Sequence, residues 1–590
     1  MSLPGSPSRR EWALVALVLA LPPLLLQLAG PVPRIDADAI EYYSHLRSLY
    51  FDGDLDFENE FRHFGILERG DKRRPTATGH RRTIFSVGPS LLWLPFYAVG
   101  DVVARIGGGT EQGYSPAHIR AAMLGSLFWG VLGLLLVYRL LRELFAPSAA
   151  FWTAFLLLYA TFLYWYLIFE PLMSHAGSFF CAALVLFVWW GGRRDLGWRR
   201  AAALGLVTGL AATLRWQNGV LLLLPALTLL GSLRRTPRRS SLTGALVLGA
   251  FALGALPQLL AWKAIFGSYL LADPPHGADF LRLDHPFLLQ TFFSSRHGLL
   301  YWTPVLWGGF LGYLVLLRRR PRLALALLLP LAVMSYVNAC SGDWWAGGSF
   351  SNRRFDSVLP LLALGLGASL DVLRLQVQRR PGLVLVAGGA LLTLWNFLFM
   401  QQYGENRIPR DDTVSFAQVT ENNADILSDL VGSPLAWPAN WLFAWHHDLP
   451  AQKCDLMVGP YLFYRQNNLG GMLDLGDDRI DPGLLSEGWA RRRPCGTGVC
   501  RGLDGRARIF APLDVPEDLA LWVRAAGSGV LGVAINGHRL GELPLRPELG
   551  DFRLRAPAGL WRRELNEVTL DPGGARDVIV ERLRFERLGR

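Results

Sequence analysis

The 590-residue chain is 51% hydrophobic and only 18% charged, where a soluble protein carries about 25% charge, and its mean hydropathy is +0.25. These values exclude a single soluble globule and point to a multi-span membrane protein with something attached. The net charge of +11 is not a nucleic-acid surface, because the arginines sit in short clusters between apolar runs. Five cysteines, with no CxxC pair and no Cys/His ligand spacing, give no zinc site.

Crossing roughly 30 Å of hydrocarbon takes about 20 apolar residues. Runs of that kind lie near 12–30, 117–138, 149–169, 173–190, 200–214, 218–231, 241–262, 299–317, 323–340, 355–371 and 382–400. They predict about eleven transmembrane helices. Arginine clusters at 9–10, 139–142, 193–200, 234–239, 318–322 and 374–380 fall on one side, which the positive-inside rule makes cytoplasmic, together with the N-terminus. The first run also fits a signal peptide, with its basic start and small residues after it. The stretch IFSVGPSLLWLPFYAVGDVV at 84–103 reads as an interfacial helix on the outer leaflet, since Pro89 and Pro95 oppose a straight span.

This places the first loop, 31–116, on the outer side with the turn at Glu170, the loops 263–298 and 341–354, and everything after 401. Residues 1–400 form the membrane domain, 401–455 a linker, and 456–590 a separate β-sandwich. In the last, LALWVRA at 519–525 and GVAINGH at 532–538 alternate in polarity, and Asn536-Gly537 signals a hairpin turn. Cys495 and Cys500 close a short loop suited to a disulfide in an oxidising compartment, with two free thiols as the alternative.

Three polar constellations stand out. In IDADAIEYY at 35–43, Asp36, Asp38 and Glu41 precede Tyr42 and Tyr43. If a helix starts there, Asp38 and Glu41 share a face near its amino end; the same spacing also makes a capping box. In GDWWAGGSFSNRRF at 342–355, Trp344 and Trp345 offer apolar surface and Arg353 and Arg354 charge. This fits an anionic lipid phosphate or a plain aromatic belt. The third is a scatter near span ends: Arg82, Glu170, His175, Arg215, Arg296 and His297.

Together the segments DADAIEYY, SVGPSLLWLPF, EPLMSHA, SRHGLLYWTP and WWAGGSFSNRRF resemble the glycosyltransferase C superfamily over residues 1 to about 400. Within it they look most like the branch of bacterial protein mannosyltransferases and lipid A aminoarabinose transferases. The tail resembles galactose-binding-like β-sandwiches. The resemblance implies an inverting transferase that moves a sugar from a polyprenyl-phosphate donor to a glycan, lipid or protein acceptor. The reaction would lie at the outer face of the cytoplasmic membrane. It implies an essential acid at Asp38, with Asp36 or Glu41 supplying any second carboxylate, because Ala39 stands where many members have Asp-Glu. Arg353, Arg354, Arg296, Arg215 and Arg82 would hold the phosphate, and Tyr42, Trp344, Trp345, Glu170, His175 and His297 would meet substrate. No cofactor is indicated, a divalent metal is left open, and nucleic acid is not a partner. A lipid or polysaccharide transporter, or a noncatalytic scaffold, is the alternative.

Overall fold

The computed structural model describes residues 7–109, 112–270, 280–377, 380–447, 451, 472–475, 485, 487–495, 498–513, 515–562 and 564–588. The chain divides into two compact units, Met1–Asn423 and Ala424–Arg590.

The first unit is helical. It opens with α1 (Arg9–Ala29), α2 (Asp38–Arg47), α3 (Glu58–His63), α4 (Gly88–Ile106) and α5 (Pro116–Leu141). Next come α6 (Pro147–Tyr159), α7 (Leu163–Ile168), α8 (His175–Gly192), α9 (Trp198–Leu214), α10 (Leu223–Leu233) and α11 (Pro237–Phe266). After α12 (Leu288–Phe293) and α13 (Leu299–Trp302) follow α14 (Leu306–Arg319), α15 (Pro321–Ala339), α16 (Leu359–Gln376) and α17 (Pro381–Gly404), and the unit boundary falls within α18 (Phe416–Val431). Helices occupy all eleven expected spans, and among the described residues eight are long and apolar enough to cross a membrane. The protein is a multi-pass membrane protein. Proline opens α5, α6, α11, α15 and α17, where its fixed φ suits the first turn and its missing N–H costs nothing.

The other expected spans are broken or short. The run 149–169 splits at Ala160–Phe162, where Asn396 Nδ2 of α17 donates to the freed carbonyls of Tyr159 (3.0 Å) and Thr161 (3.1 Å). Without water, such carbonyls need a side-chain donor. The run 200–214 ends where expected, at Arg215 with extended backbone, and Asn218 donates back to Ala211 O at 3.0 Å. Helices α14 and α16 touch backbone to backbone: a Cβ on Gly365 would sit 1.9 Å from Gly309 O.

The 84–103 segment is helical as α4, but it runs lengthwise along the first half of α5. Gly100 faces Ala121, while Trp93 Nε1 donates to Ser126 (2.7 Å) and Trp129 Nε1 to Leu92 O (2.9 Å). This antiparallel register buries Trp93 and Tyr97. Proximity to α5 thus covers the Trp93–Tyr97 side of α4, while Val99, Val102, Val103 and Ile106 stay exposed, as a helix facing a leaflet would leave them.

Among the described residues the second unit holds α19 (Ala439–His447) and nine antiparallel strands: β1 (Met472–Asp474), β2 (Trp489–Cys495), β3 (Gly498–Leu503), β4 (Ala507–Leu513), β5 (Leu519–Ile535), β6 (His538–Leu545), β7 (Gly550–Ala556), β8 (Glu564–Asp571) and β9 (Arg576–Arg587). The two alternating segments of the sequence are one strand, β5. Its first half pairs with β7 and β9, its second with β6 and β8. Leu521, Val523, Leu531, Val533, Leu570 and Phe585 share the apolar core. The turn into β6 forms at Asn536 (φ 52°) and Gly537 (φ 81°), the left-handed pair that a tight hairpin requires. Cys495 and Cys500 form a disulfide. Residues 452–471, which include the expected start of the β domain, and 271–279 of the loop 263–298 lie outside the described residues.

Candidate functional site

Asp38 is the first residue of α2, and it makes no capping-box bond. Its Oδ2 meets Arg353 NH2 at 2.8 Å, joining the first loop to the segment that leads into α16. Both ends of this pair hang from backbone in conformations that a side chain disfavours: Ala37 (φ 50°) precedes Asp38, and Ala346 (φ 69°) accepts from Arg353 Nε at 3.2 Å. Non-glycine residues there cost on the order of 1 kcal/mol each and persist where surrounding contacts impose them.

Other polar groups gather around this pair. Glu170, half-buried, interacts electrostatically with Arg353, Arg410 and Asp38, and burial raises its carboxyl above the usual range. Tyr42 bonds Ser174 Oγ through its hydroxyl (3.2 Å), and burial pushes it up to about 12. Behind it, His175 Nδ1 lies 2.7 Å from Asp356 Oδ2, with Arg215 3.6 Å from the same oxygen. Asp356 is fully buried and also accepts from Ser178 (2.9 Å), whose Oγ accepts from Asn218 (2.9 Å). A buried carboxylate survives only with such partners. His175 is therefore a satisfied histidine whose ring is oriented by Asp356 and flanked by a cation.

Arg354 is held by the Asp343 carboxylate (2.5 Å) and carbonyl (2.6 Å). Arg296 lies flat on Trp345, 3.7 Å from the ring centre, and Asp411 accepts from both Arg296 (3.2 Å) and Trp345 Nε1 (2.5 Å). Fully buried His297 stacks on Trp302 with φ 56°. Burial lowers it to about 4, so the ring is neutral at pH 7.

Thus Asp38, Tyr42, Glu170, His175, Arg215 and Arg353 come together, with Arg354 adjoining. Besides Arg296, Trp345 and His297, whose contacts lie with Asp411 and Trp302, three expected residues point elsewhere. Asp36 pairs with exposed Arg34 at 3.3 Å. Glu41 is buried against Lys72 (2.8 Å) and Thr83 (2.7 Å), and the Arg82 carbonyl also accepts from Lys72, at 3.2 Å. Trp344 packs on Phe287. Sequence reading missed Asp356, Asn218, Ser178, Asp343, Asp411 and Lys72. Of these, Asp356 carried a signal, a lone acid at the head of an apolar run. Among the described residues, no three His, Cys, Asp or Glu side chains cluster as a metal site.

The fold and this cluster define a multi-pass membrane protein with a buried, charged polar site among its helices and a separate antiparallel β domain. Solved structures match it at low sequence identity over about two thirds or more of its length. Arabinosyltransferase EmbB from Mycobacterium smegmatis matches at 12% identity and TM-score 0.39, over 98% of this chain and 65% of that one. ArnT from Cupriavidus metallidurans, bound to undecaprenyl phosphate, matches at 16% and 0.41 over 67% and 70%. The archaeal oligosaccharyltransferase AglB from Archaeoglobus fulgidus, in complex with an inhibitory peptide and a dolichol-phosphate, matches at 16% and 0.36 over 71% and 54%. The chain thus spans less than two thirds of the length of EmbB and of AglB. No protein-family model and no curated protein matches the sequence.

Proposed function

We propose that the protein is an inverting glycosyltransferase, moving a sugar from a polyprenyl-phosphate donor to a glycan, lipid or protein acceptor at the outer face of the cytoplasmic membrane. The observation that carries this reading is the Asp38–Arg353 pair at 2.8 Å, a carboxylate and a guanidinium held together among further arginines. Transfer needs one group to take the acceptor's proton and another to receive the leaving phosphate, and this pair supplies both. Asp38 accepts the hydroxyl proton as the acceptor oxygen bonds to the anomeric carbon. The carbon–oxygen bond to phosphate breaks with inversion, and its electron pair leaves on the prenyl phosphate. Arg353, with Arg215 and Arg354 beside it, receives that charge; guanidinium–phosphate bonds gain strength away from bulk water. Glu170 holds a second carboxyl close to Arg353, and Tyr42 fixes the loop that carries Asp38.

The test is transfer or hydrolysis of a panel of polyprenyl-phosphate sugars by purified protein in lipid discs. The Asp38→Asn variant is expected to lose about 10²- to 10⁴-fold in turnover while still binding donor. Turnover equal to wild type would remove Asp38 as the base.

A further inference from the structure

We infer that the β7–β5–β9 face of the β domain is a binding site for an anionic saccharide, centred on Trp522 and read by Arg553 and Arg584. The inference stands apart from the transfer reaction. It begins with register: Trp522 on β5 lies directly across from Arg553 on β7 and from Arg584 on β9. Side chains directly opposite on adjacent antiparallel strands point to the same face. The two arginines therefore flank the indole in one row, their Cα atoms about 10 Å apart, two strand spacings.

The row is ordered. Trp522 Nε1 donates to Glu586 at 2.7 Å, fixing the ring plane, and the Arg553 guanidinium carbon stands 5.0 Å from the indole centre. Stacking of this kind presents a guanidinium edge-on with its donors free. Neighbouring arginines are spent on carboxylates: Arg524 on Asp551 (2.9 Å) and Glu581 (2.6 Å), and Arg555 on Asp518 (2.8 Å). Arg553 and Arg584 are exposed and have no ion pair among the described residues.

Charge complementarity selects an anion, and the remainder of the face selects its chemistry. A lipid-contacting surface carries protruding apolar side chains, whereas the indole between these arginines is half-buried and tied to a carboxylate. A polar chain with carboxylate or phosphate groups on flat sugar rings matches two guanidiniums astride an indole.

The test uses full-length protein in discs of zwitterionic lipid, titrated with tetragalacturonate and with its methyl ester, which keeps the sugar backbone and removes the charge. Tetragalacturonate is expected to bind, the ester at least about tenfold more weakly, and Arg553→Gln/Arg584→Gln to lose about tenfold or more. Trp522→Leu should weaken binding with the domain's circular dichroism unchanged. Absence of uronate binding, equal affinity for the ester, or wild-type affinity in the double variant would overturn the site. So would a result in which phosphatidylglycerol vesicles, and not the uronate, distinguish wild type from the variant.

Discussion

At the scale of single residues, the charged groups divide into those that build the site and those that hold its loop. His45 belongs to the second kind. Its Nδ1 is 2.8 Å from Glu41 O, its ring packs on Phe57, and burial lowers it from 6.5 to about 4. The unfolded chain thus takes up this proton first as pH falls, so stability present above about 6.5 is lost progressively down to about 4. His45→Gln should remove roughly 3 kcal/mol of that acid sensitivity, seen as a flatter melting temperature between those pH values; an unchanged slope would assign the effect elsewhere. Asp38 and Arg353 were legible in the sequence because each stands in a polar interruption between apolar runs, and His175 because it stands near the start of one. Ser178 and Asn218 were not, since each lies in a run already explained by a span, and the lone acid Asp356 gave a signal without its partners. Only the packing of α8 against the turn before α16 gives them a purpose.

Among the helices, close approach decides the packing. A methyl on Gly365 would collide with Gly309 O, whereas one on Gly388 of α17 meets nothing within 4 Å. Gly365→Ala is expected to destabilise by about 1–3 kcal/mol or more, and Gly388→Ala to stabilise by about 0.5–1 kcal/mol. Thermal unfolding in one detergent checks both; equal shifts would mean that α14 and α16 separate freely. Hydropathy revealed where the eleven helical segments lie and the interruption at Arg215, yet not the break at Ala160. An apolar run looks the same whether one helix or two pass through it, and the asparagine that satisfies this break, Asn396, lies far downstream of it. The lengthwise packing of α4 was hidden for a related reason: Pro95 argued against a straight helix, but α4 continues through it.

For the whole molecule, composition announced a multi-span membrane protein with something attached, the alternating tail announced a β domain, and the fold agrees. The proposed orientation puts the arginine clusters and the Asp38 site on opposite faces. Single cysteines at Arg199 and Asp412, both exposed, should then react with an impermeant maleimide from the cytoplasmic and the outer face respectively. Labelling of both from one side would invert or collapse the arrangement.

The contact between Asp38 and Arg353 also has a kinetic meaning. While the two are paired, the carboxylate is occupied and the guanidinium is screened. On the proposed reaction, an arriving phosphate takes Arg353 and frees Asp38 in the same exchange. The acceptor hydroxyl thus meets a competent base only after the donor is seated, so initial rates should follow a compulsory order, donor first, with an inert donor analogue competitive against donor and noncompetitive against acceptor. Random-order patterns would show that the pair opens without help.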